Sequence, residues 1–356
     1  MNKVELNFEK EFSIKFQWQM SRMCNKSCFY CTTQKEKEFS KEIYQLNEKE
    51  KKEFEFIKDN LKDFFYRMDK IDLFNVNEGF LNLFGGEPFL HPELSSLIKE
   101  FTYFFKELEN NDKNFKLFVT TNGSRLYDLK EFDFVKDKIF FSVSYHYFNT
   151  KIDDFIKQVK YLDENNISYV ISSVIPNKIS TNDKTYEKYK KNIKKILDNN
   201  LRIEFKYELN PFDLTTIPSE KADEFIKLNK KIDDLYMYSN YSKLKINNKE
   251  EKIFKDFFFR GFPIFKQNLC YNFQPGIFFI EGEPFLGFSC NEGESISIQK
   301  LISSNQTIYD FFEKNHKIVC KRKTCTESRH DLNPLKMFTS NNQELKRLSK
   351  FLKREK

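Results

Sequence analysis

From about residue 12 to residue 210, short apolar, β-branched or aromatic runs alternate with longer charged amphipathic stretches. That alternation is the signature of repeated βα units around a parallel sheet. Six strands are predicted, at Phe12–Gln19, Phe80–Phe84, Lys116–Thr121, Ile139–Ser144, Ser168–Ile175 and Arg202–Glu208, with helical segments such as Glu48–Arg67 and Pro92–Glu109 between them. A chain of 356 residues can bury a full core and suits one large domain plus an appendage.

Glycine marks where the pattern changes. Of nine glycines, none lies between Gly123 and Gly261, whereas five fall from Gly261 to Gly293. A loop-rich module is expected there. The predicted organisation is a core over 12–230, a Lys-, Asn- and Tyr-rich bridging segment over 231–265, a small module over 266–332 and a tail over 333–356. Within the tail, Gln343–Lys353 reads as an amphipathic surface helix. No solenoid-type repeat is present.

Composition narrows the function classes. The net charge of +7 comes from 60 basic and 53 acidic residues interspersed along the chain, which gives a nucleic-acid reading little support. The basic run Lys321-Arg322-Lys323 reads as solvated charge. Met1–Glu11 lacks an apolar signal core, and no window approaches the roughly 20 apolar residues of a membrane span. A cytoplasmic protein is expected. Seven cysteines are an odd number for a disulfide framework, and a reducing compartment favours metal or catalytic roles for clustered thiols.

Three of them form the most informative motif, Cys24-x3-Cys28-x2-Cys31, just after the first predicted strand. Each iron of a cubane iron-sulfur cluster needs a terminal ligand, so three thiolates hold the cluster and leave one iron open. A core stripe of small apolar side chains and a zinc site are the competing readings. In a β/α barrel, ligands gather at the carboxyl ends of strands, where this loop falls. After the second predicted strand comes Phe84-Gly85-Gly86-Glu87-Pro88, whose paired glycines mark a tight turn or the close approach of a ligand.

Together these motifs resemble the radical S-adenosylmethionine enzymes, in which a C-x3-C-x-aromatic-C loop follows strand one and a Gly-Gly-Glu-Pro segment follows strand two. The resemblance implies a partial (β/α)6 TIM-like barrel, an α/β fold. It also implies a [4Fe-4S] cluster that binds S-adenosyl-L-methionine and cleaves it reductively to a 5′-deoxyadenosyl radical, which takes hydrogen from a substrate. By the same resemblance, Cys24, Cys28 and Cys31 would ligate the cluster, Tyr30 would lie against the adenine, and Gly85, Gly86, Glu87 and Pro88 would receive the methionyl amine. Asn122 of Thr121-Asn122-Gly123 and Ser144 at the end of the fourth strand fall at positions that commonly contact the cofactor. His146 departs from the Asp or Asn expected nearby; His91 reads as structural, and Asn177 is a further candidate.

Cys270, Cys290, Cys320 and Cys325 all lie in the small C-terminal module, around a predicted hairpin with a Glu281-Gly282 turn. This arrangement resembles the Twitch/SPASM auxiliary modules of the same superfamily and implies a second, fully ligated [4Fe-4S] cluster. A structural zinc on the same four thiolates is the alternative. The resemblance further implies an external reductant such as flavodoxin or ferredoxin. A start of the first strand near Phe12 leaves no room for a leader-binding domain ahead of it, which favours a small-molecule or carbohydrate substrate over a peptide. The reading of another class is a non-catalytic protein binding zinc and nucleic acid.

Overall fold

Six strands run parallel and follow one another across one sheet in chain order. The computed structural model describes residues 14–21, 23–31, 38–39, 47–56, 78–100, 114–126, 138–209, 216–217, 219–231, 241–246, 249–254, 269–271, 275–280, 283–288, 295–304 and 317–319. Strand β1 is Ile14–Ser21; β2 (Met23–Cys24) and β3 (Glu38–Phe39) form a short parallel pair outside the main sheet. Next come β4 (Glu78–Gly85), β5 (Asn114–Thr121), β6 (Ile139–Ser144), β7 (Ser168–Ile175) and β8 (Ile203–Leu209), each parallel to the one before. β9 (Thr216–Ile217) closes the far edge antiparallel to β8. This sequential order, without a reversal of winding, is that of a partial β/α barrel.

Side chains alternate between the two faces of each strand. Leu83, Leu117, Val119, Phe141, Val143, Ile171, Ile203 and Phe205 belong to one buried cluster with the helices. Helix α1 spans Glu48–Phe56, and a second helix, α2, covers residues 94–100. Helix α3 (Ile152–Glu164) buries Phe155, Ile156, Val159 and Leu162, the three- and four-residue spacing of one helical face. A short helix, α4, spans Asn177–Ser180. Helix α5 (Asp183–Asp198) starts where Asn182 caps the Thr185 amide, and buries Tyr186, Tyr189, Ile193 and Ile196. Helix α6 (Glu220–Ile226) adds Ala222, Phe225 and Ile226 to the same cluster.

The C-terminal third is built from antiparallel pairs. β10 (Tyr241–Ile246) pairs with β11 (Lys249–Phe254). Next, β12 (Leu269–Tyr271) pairs with a later strand, β16 (Lys317–Val319). The predicted hairpin is present as β13 (Pro275–Ile280) and β14 (Glu283–Phe288), with Ile280 opposite Glu283 across the Glu281-Gly282 connection. β15 (Ile296–Ser297) adds to β14 and leads into α7 (Ile298–Ser303). Because β13 lies beside β1, and Leu286 and Leu301 join the main buried cluster, this hairpin packs at the first edge of the parallel sheet.

All six predicted strands are present within two residues of their expected ends. The segment expected only to bridge, 231–265, carries the β10–β11 hairpin, whose alternation in Leu244-Lys245-Ile246 and Lys252-Ile253-Phe254 was readable as strand. Cys290, Cys320, Cys325, Gln343–Lys353 and the distal parts of the helices expected at Glu48–Arg67 and Pro92–Glu109 lie outside the described residues. Among the described residues, no helix is long and apolar enough to cross a membrane.

Gly123, directly after β5, ties the sheet to α3. Its φ of +72° is a region that side chains disfavour, and an added Cβ would stand 2.8 Å from Val143 Cγ1 and 3.4 Å from the Phe155 ring. Gly123→Ala is expected to lower stability by roughly 1–3 kcal/mol through overpacking alone. A denaturant midpoint unchanged from the wild type would contradict this packing.

Candidate active site

The three motif cysteines sit at the carboxyl edge of the sheet. Cys24 ends β2, Cys28 follows in the loop, and both are buried; Cys31 is half-buried, and none of the three is in a disulfide. The Cys31 amide donates to the Cys28 carbonyl at 3.1 Å, which makes the last three residues of the motif a tight turn. Nitrogen donors approach the sulfurs. The Lys26 amide is 3.4 Å from Cys24 Sγ, Asn122 Nδ2 is 3.9 Å from the same atom, and Asn149 Nδ2 is 3.5 Å from Cys28 Sγ. Each of these nitrogens is placed as a donor toward a sulfur, a weak acceptor.

Glu87 joins this loop to two strand ends. Its amide donates to the Met23 carbonyl at 2.7 Å, directly before Cys24. Its carboxylate is fully buried and accepts from Thr121 Oγ1 at 2.7 Å, the Asn122 amide at 2.6 Å and the Phe89 amide at 3.2 Å. A buried charge is tolerable only when hydrogen-bonded in this way. Asn122 continues the chain of contacts, donating from Nδ2 to Asn25 Oδ1 at 2.8 Å, while Asn25 Nδ2 donates to Ser124 Oγ at 2.9 Å. Within the segment expected to receive a ligand amine, Gly85–Pro88, the Glu87 carboxylate is engaged by three protein donors, and Gly85 and Gly86 offer backbone. Gly85 has a φ of +133°, which a side chain would resist.

The other side of the loop is fastened to the turn after β6. Tyr30 Oη is 2.9 Å from His146 Nδ1, and Lys26 Nζ donates to the Asn149 carbonyl at 2.7 Å. Burial, and then the nearby Cys28, push the Tyr30 phenol far above its ordinary pKa, so it stays protonated. Tyr30 can therefore donate to His146. Phe29 meets Phe148 edge-on with centroids 5.2 Å apart, and Lys178 Nζ lies 5.4 Å above the Phe29 ring. The Asn177 amide donates to Glu208 Oε2 at 2.6 Å, which fixes the turn carrying Lys178.

The structure thus brings Cys24, Cys28, Cys31, Tyr30, Glu87 and Asn122 to one edge, with Ser144 half-buried at the end of β6. Cys270 lies on β12, opposite Ile318, two positions before Cys320 in the sequence. Sequence reasoning did not assign Thr121, Asn25, Asn149 or Lys26. The Thr-Asn-Gly run offered a signal for Thr121, but nothing local marks Asn149. His91 is structural as expected: its Nδ1 accepts from the Glu93 amide at 3.2 Å, and burial lowers its pKa to about 4.

Among the described residues, no three His, Cys, Asp or Glu side chains converge as ligands of a single metal ion. A cluster makes a different demand, with each thiolate on its own iron. Three cysteines on one loop, none in a disulfide and two of them buried with amide donors at their sulfurs, fit that donor set.

Neither a protein-family model nor a curated protein sequence matches the chain. Similar solved structures include native anSMEcpe with bound AdoMet and Cp18Cys peptide, with a TM-score of 0.41 and 16% identity over 59% of this chain. That match covers 55% of the other chain's length. Another is coproporphyrinogen III oxidase (HemN) from Escherichia coli, described as a radical SAM enzyme, with a TM-score of 0.43 and 11% identity over 94% of this chain and 73% of that one. At such scores and identities the likeness assigns nothing by itself, and the site rests on its own residues.

Two outcomes are expected. Glu87→Gln turns an amide N–H toward the Asn122 or Thr121 donor and should cost roughly 2–4 kcal/mol of stability; a thermal midpoint equal to that of the wild type would contradict the bracket. The folded pKa of His91 lies below its unfolded value of 6.5, so below that pH the unfolded chain binds the extra proton. Its contribution is intact above pH 6.5 and is lost as pH falls toward about 4. His91→Asn, which keeps an acceptor for the Glu93 amide, should remove up to about 3 kcal/mol of that acid-side slope. Identical slopes for variant and wild type would contradict the burial argument.

Proposed function

We propose that the chain is a radical S-adenosylmethionine enzyme whose Cys24-Cys28-Cys31 loop holds a [4Fe-4S] cluster. The observation that carries this reading is the Glu87 bracket, which joins the cysteine loop, the Gly-Gly-Glu-Pro segment and the Thr-Asn-Gly turn through direct hydrogen bonds. Three motifs distant in sequence meet at one sheet edge, as a shared ligand site requires. When bound and reduced, the cluster would supply the electron that cleaves the sulfonium of S-adenosylmethionine to a 5′-deoxyadenosyl radical.

The chain's own residues have separate tasks in this reading. Asn122 and Asn149 hold the sulfur-bearing loop from opposite sides, and Lys26 fastens its middle. Tyr30, protonated and bonded to His146, presents a fixed aromatic face beside Cys31 for the adenine. The Gly85–Gly86 backbone can approach a ligand amine closely because neither residue carries a side chain. Ser144 offers a hydroxyl at the end of β6. A second cluster on Cys270, Cys290, Cys320 and Cys325 belongs to the same proposal. The β12–β16 pairing supports it by joining chain segments that flank Cys270 and Cys320 in sequence.

Anaerobic reconstitution followed by iron analysis tests both parts, since one cubane contributes about four irons per chain and two contribute about eight. Cys28→Ala is expected to bind about four fewer irons than the wild type and to form no 5′-deoxyadenosine with dithionite and S-adenosylmethionine. A wild-type chain that stays iron-free, or a Cys28→Ala chain that forms 5′-deoxyadenosine, would overturn the assignment.

A further inference from the structure

Asn149 ends the single 3-10 turn, Tyr147–Asn149, that follows β6. Its main chain is fastened on both sides. The Asn149 amide donates to the His146 carbonyl at 2.9 Å, and the Asn149 carbonyl accepts from Lys26 Nζ at 2.7 Å. A residue held in this way can aim its side chain, and Asn149 Nδ2 lies 3.5 Å from Cys28 Sγ. Cys28 is 4% exposed and Asn149 is half-buried, so water has little access to take the place of that donor. Asn122 is placed differently. Its Nδ2 is 2.8 Å from Asn25 Oδ1 and 3.9 Å from Cys24 Sγ, so its closer partner is an oxygen.

A neutral thiol is a weak acceptor, and an amide N–H gains little by pointing at one. The same contact strengthens when the sulfur carries negative charge, because a charged acceptor makes a stronger hydrogen bond. A thiolate on iron carries such charge, and more of it when the site is reduced. Hydrogen bonds to the sulfurs are accordingly among the factors that set the reduction potential of an iron-sulfur site. The low local dielectric around a buried sulfur magnifies the difference between the two redox states. A donor at Cys28 therefore favours the reduced state.

We propose that Asn149 is a positioning residue that raises the reduction potential of the cluster, through an N–H···S bond from its side chain to Cys28. Lys26 and His146 hold the turn from which that bond is made. The inference rests on the radical reading, since it requires a cluster ligated by Cys28. The amide keeps its proton in both redox states, and the electron comes from the external reductant, so the bond changes in strength and not in composition. Asn149 acts through the Cys28 sulfur and needs no contact with S-adenosylmethionine. Its effect is thus expected on the potential of the resting site, before any cosubstrate is added.

A redox titration of the reconstituted full-length chain tests this, with dithionite setting the potential and electron paramagnetic resonance following the signal that Cys28→Ala lacks. Asn149→Leu keeps the side-chain volume and removes the donor. At the potential where the wild type is half reduced, its ratio of reduced to oxidised cluster should be lower by roughly threefold to tenfold. Asn149→Asp sets a carboxylate against the sulfur and should lower the ratio at least as far; it is read instead if Asn149→Leu does not bind iron. Asn165→Leu, between α3 and the start of β7, removes the same polar group away from the cysteine loop and should leave the midpoint unchanged. Iron is counted in every sample. Equal midpoints for variant and wild type at equal iron content would overturn the inference and leave the cluster in place. Failure of both Asn149 variants to bind iron would also overturn it, since the contact would then serve assembly and not potential. A wild type that stays iron-free overturns the radical reading and this inference with it, so the iron count tells the two failures apart.

Discussion

The architecture of the site depends on one buried carboxylate. Glu87 takes hydrogen bonds from Thr121, Asn122 and Phe89 through its side chain, and its amide holds the Met23 carbonyl. Those contacts convert three loops, which leave the sheet after different strands, into one body. Without them the cysteine loop would be a surface segment with the conformational freedom of any loop. Neutral groups could not replace the charge at equal strength, because hydrogen bonds to an ionised acceptor are about twice as strong as neutral ones.

A second set of restraints acts from the opposite side. Tyr30, Lys26 and Phe29 reach the turn after β6, where His146, Asn149 and Phe148 receive them. The loop is therefore held between β5 and β6, with its sulfurs near amide donors and its one fixed tyrosine beside them. Such a loop is positioned before any ligand arrives, which lowers the ordering cost of binding. The helix-facing side of the sheet is closed by Phe155, Tyr189 and Phe225, so the polar groups of Ser172, Glu204 and Lys206 are confined to the other side.

Much of this was legible in the sequence, for identifiable reasons. The strand positions followed from runs such as Ile139–Ser144 and Ser168–Ile175, where apolar residues cluster between charged helices. The cysteine trio and the paired glycines were visible because their spacing is local. What could not be read were contacts between distant loops: nothing near Asn149 announces that it reaches Cys28, 121 positions earlier. Glu87 was expected, with Gly85, Gly86 and Pro88, to receive a ligand amine; its carboxylate bonds to Thr121, Asn122 and Phe89 were not readable from the sequence. Glu204 was hidden for another reason. Its strand reads Ile203-Glu204-Phe205-Lys206-Tyr207, an ordinary alternation in which polar positions are assumed to meet water. Glu204 is instead buried and paired with Lys206, so the assumption fails there.

The central claim is that three cysteines leave one iron of a cluster open to a second molecule. Electron paramagnetic resonance of the dithionite-reduced chain, recorded before and after adding S-adenosylmethionine, tests it most directly. The account predicts a reduced-cluster signal in the wild type that changes shape when the cosubstrate is added. A chain that gives no iron-sulfur signal after reconstitution, or one whose signal is indifferent to S-adenosylmethionine, would contradict it.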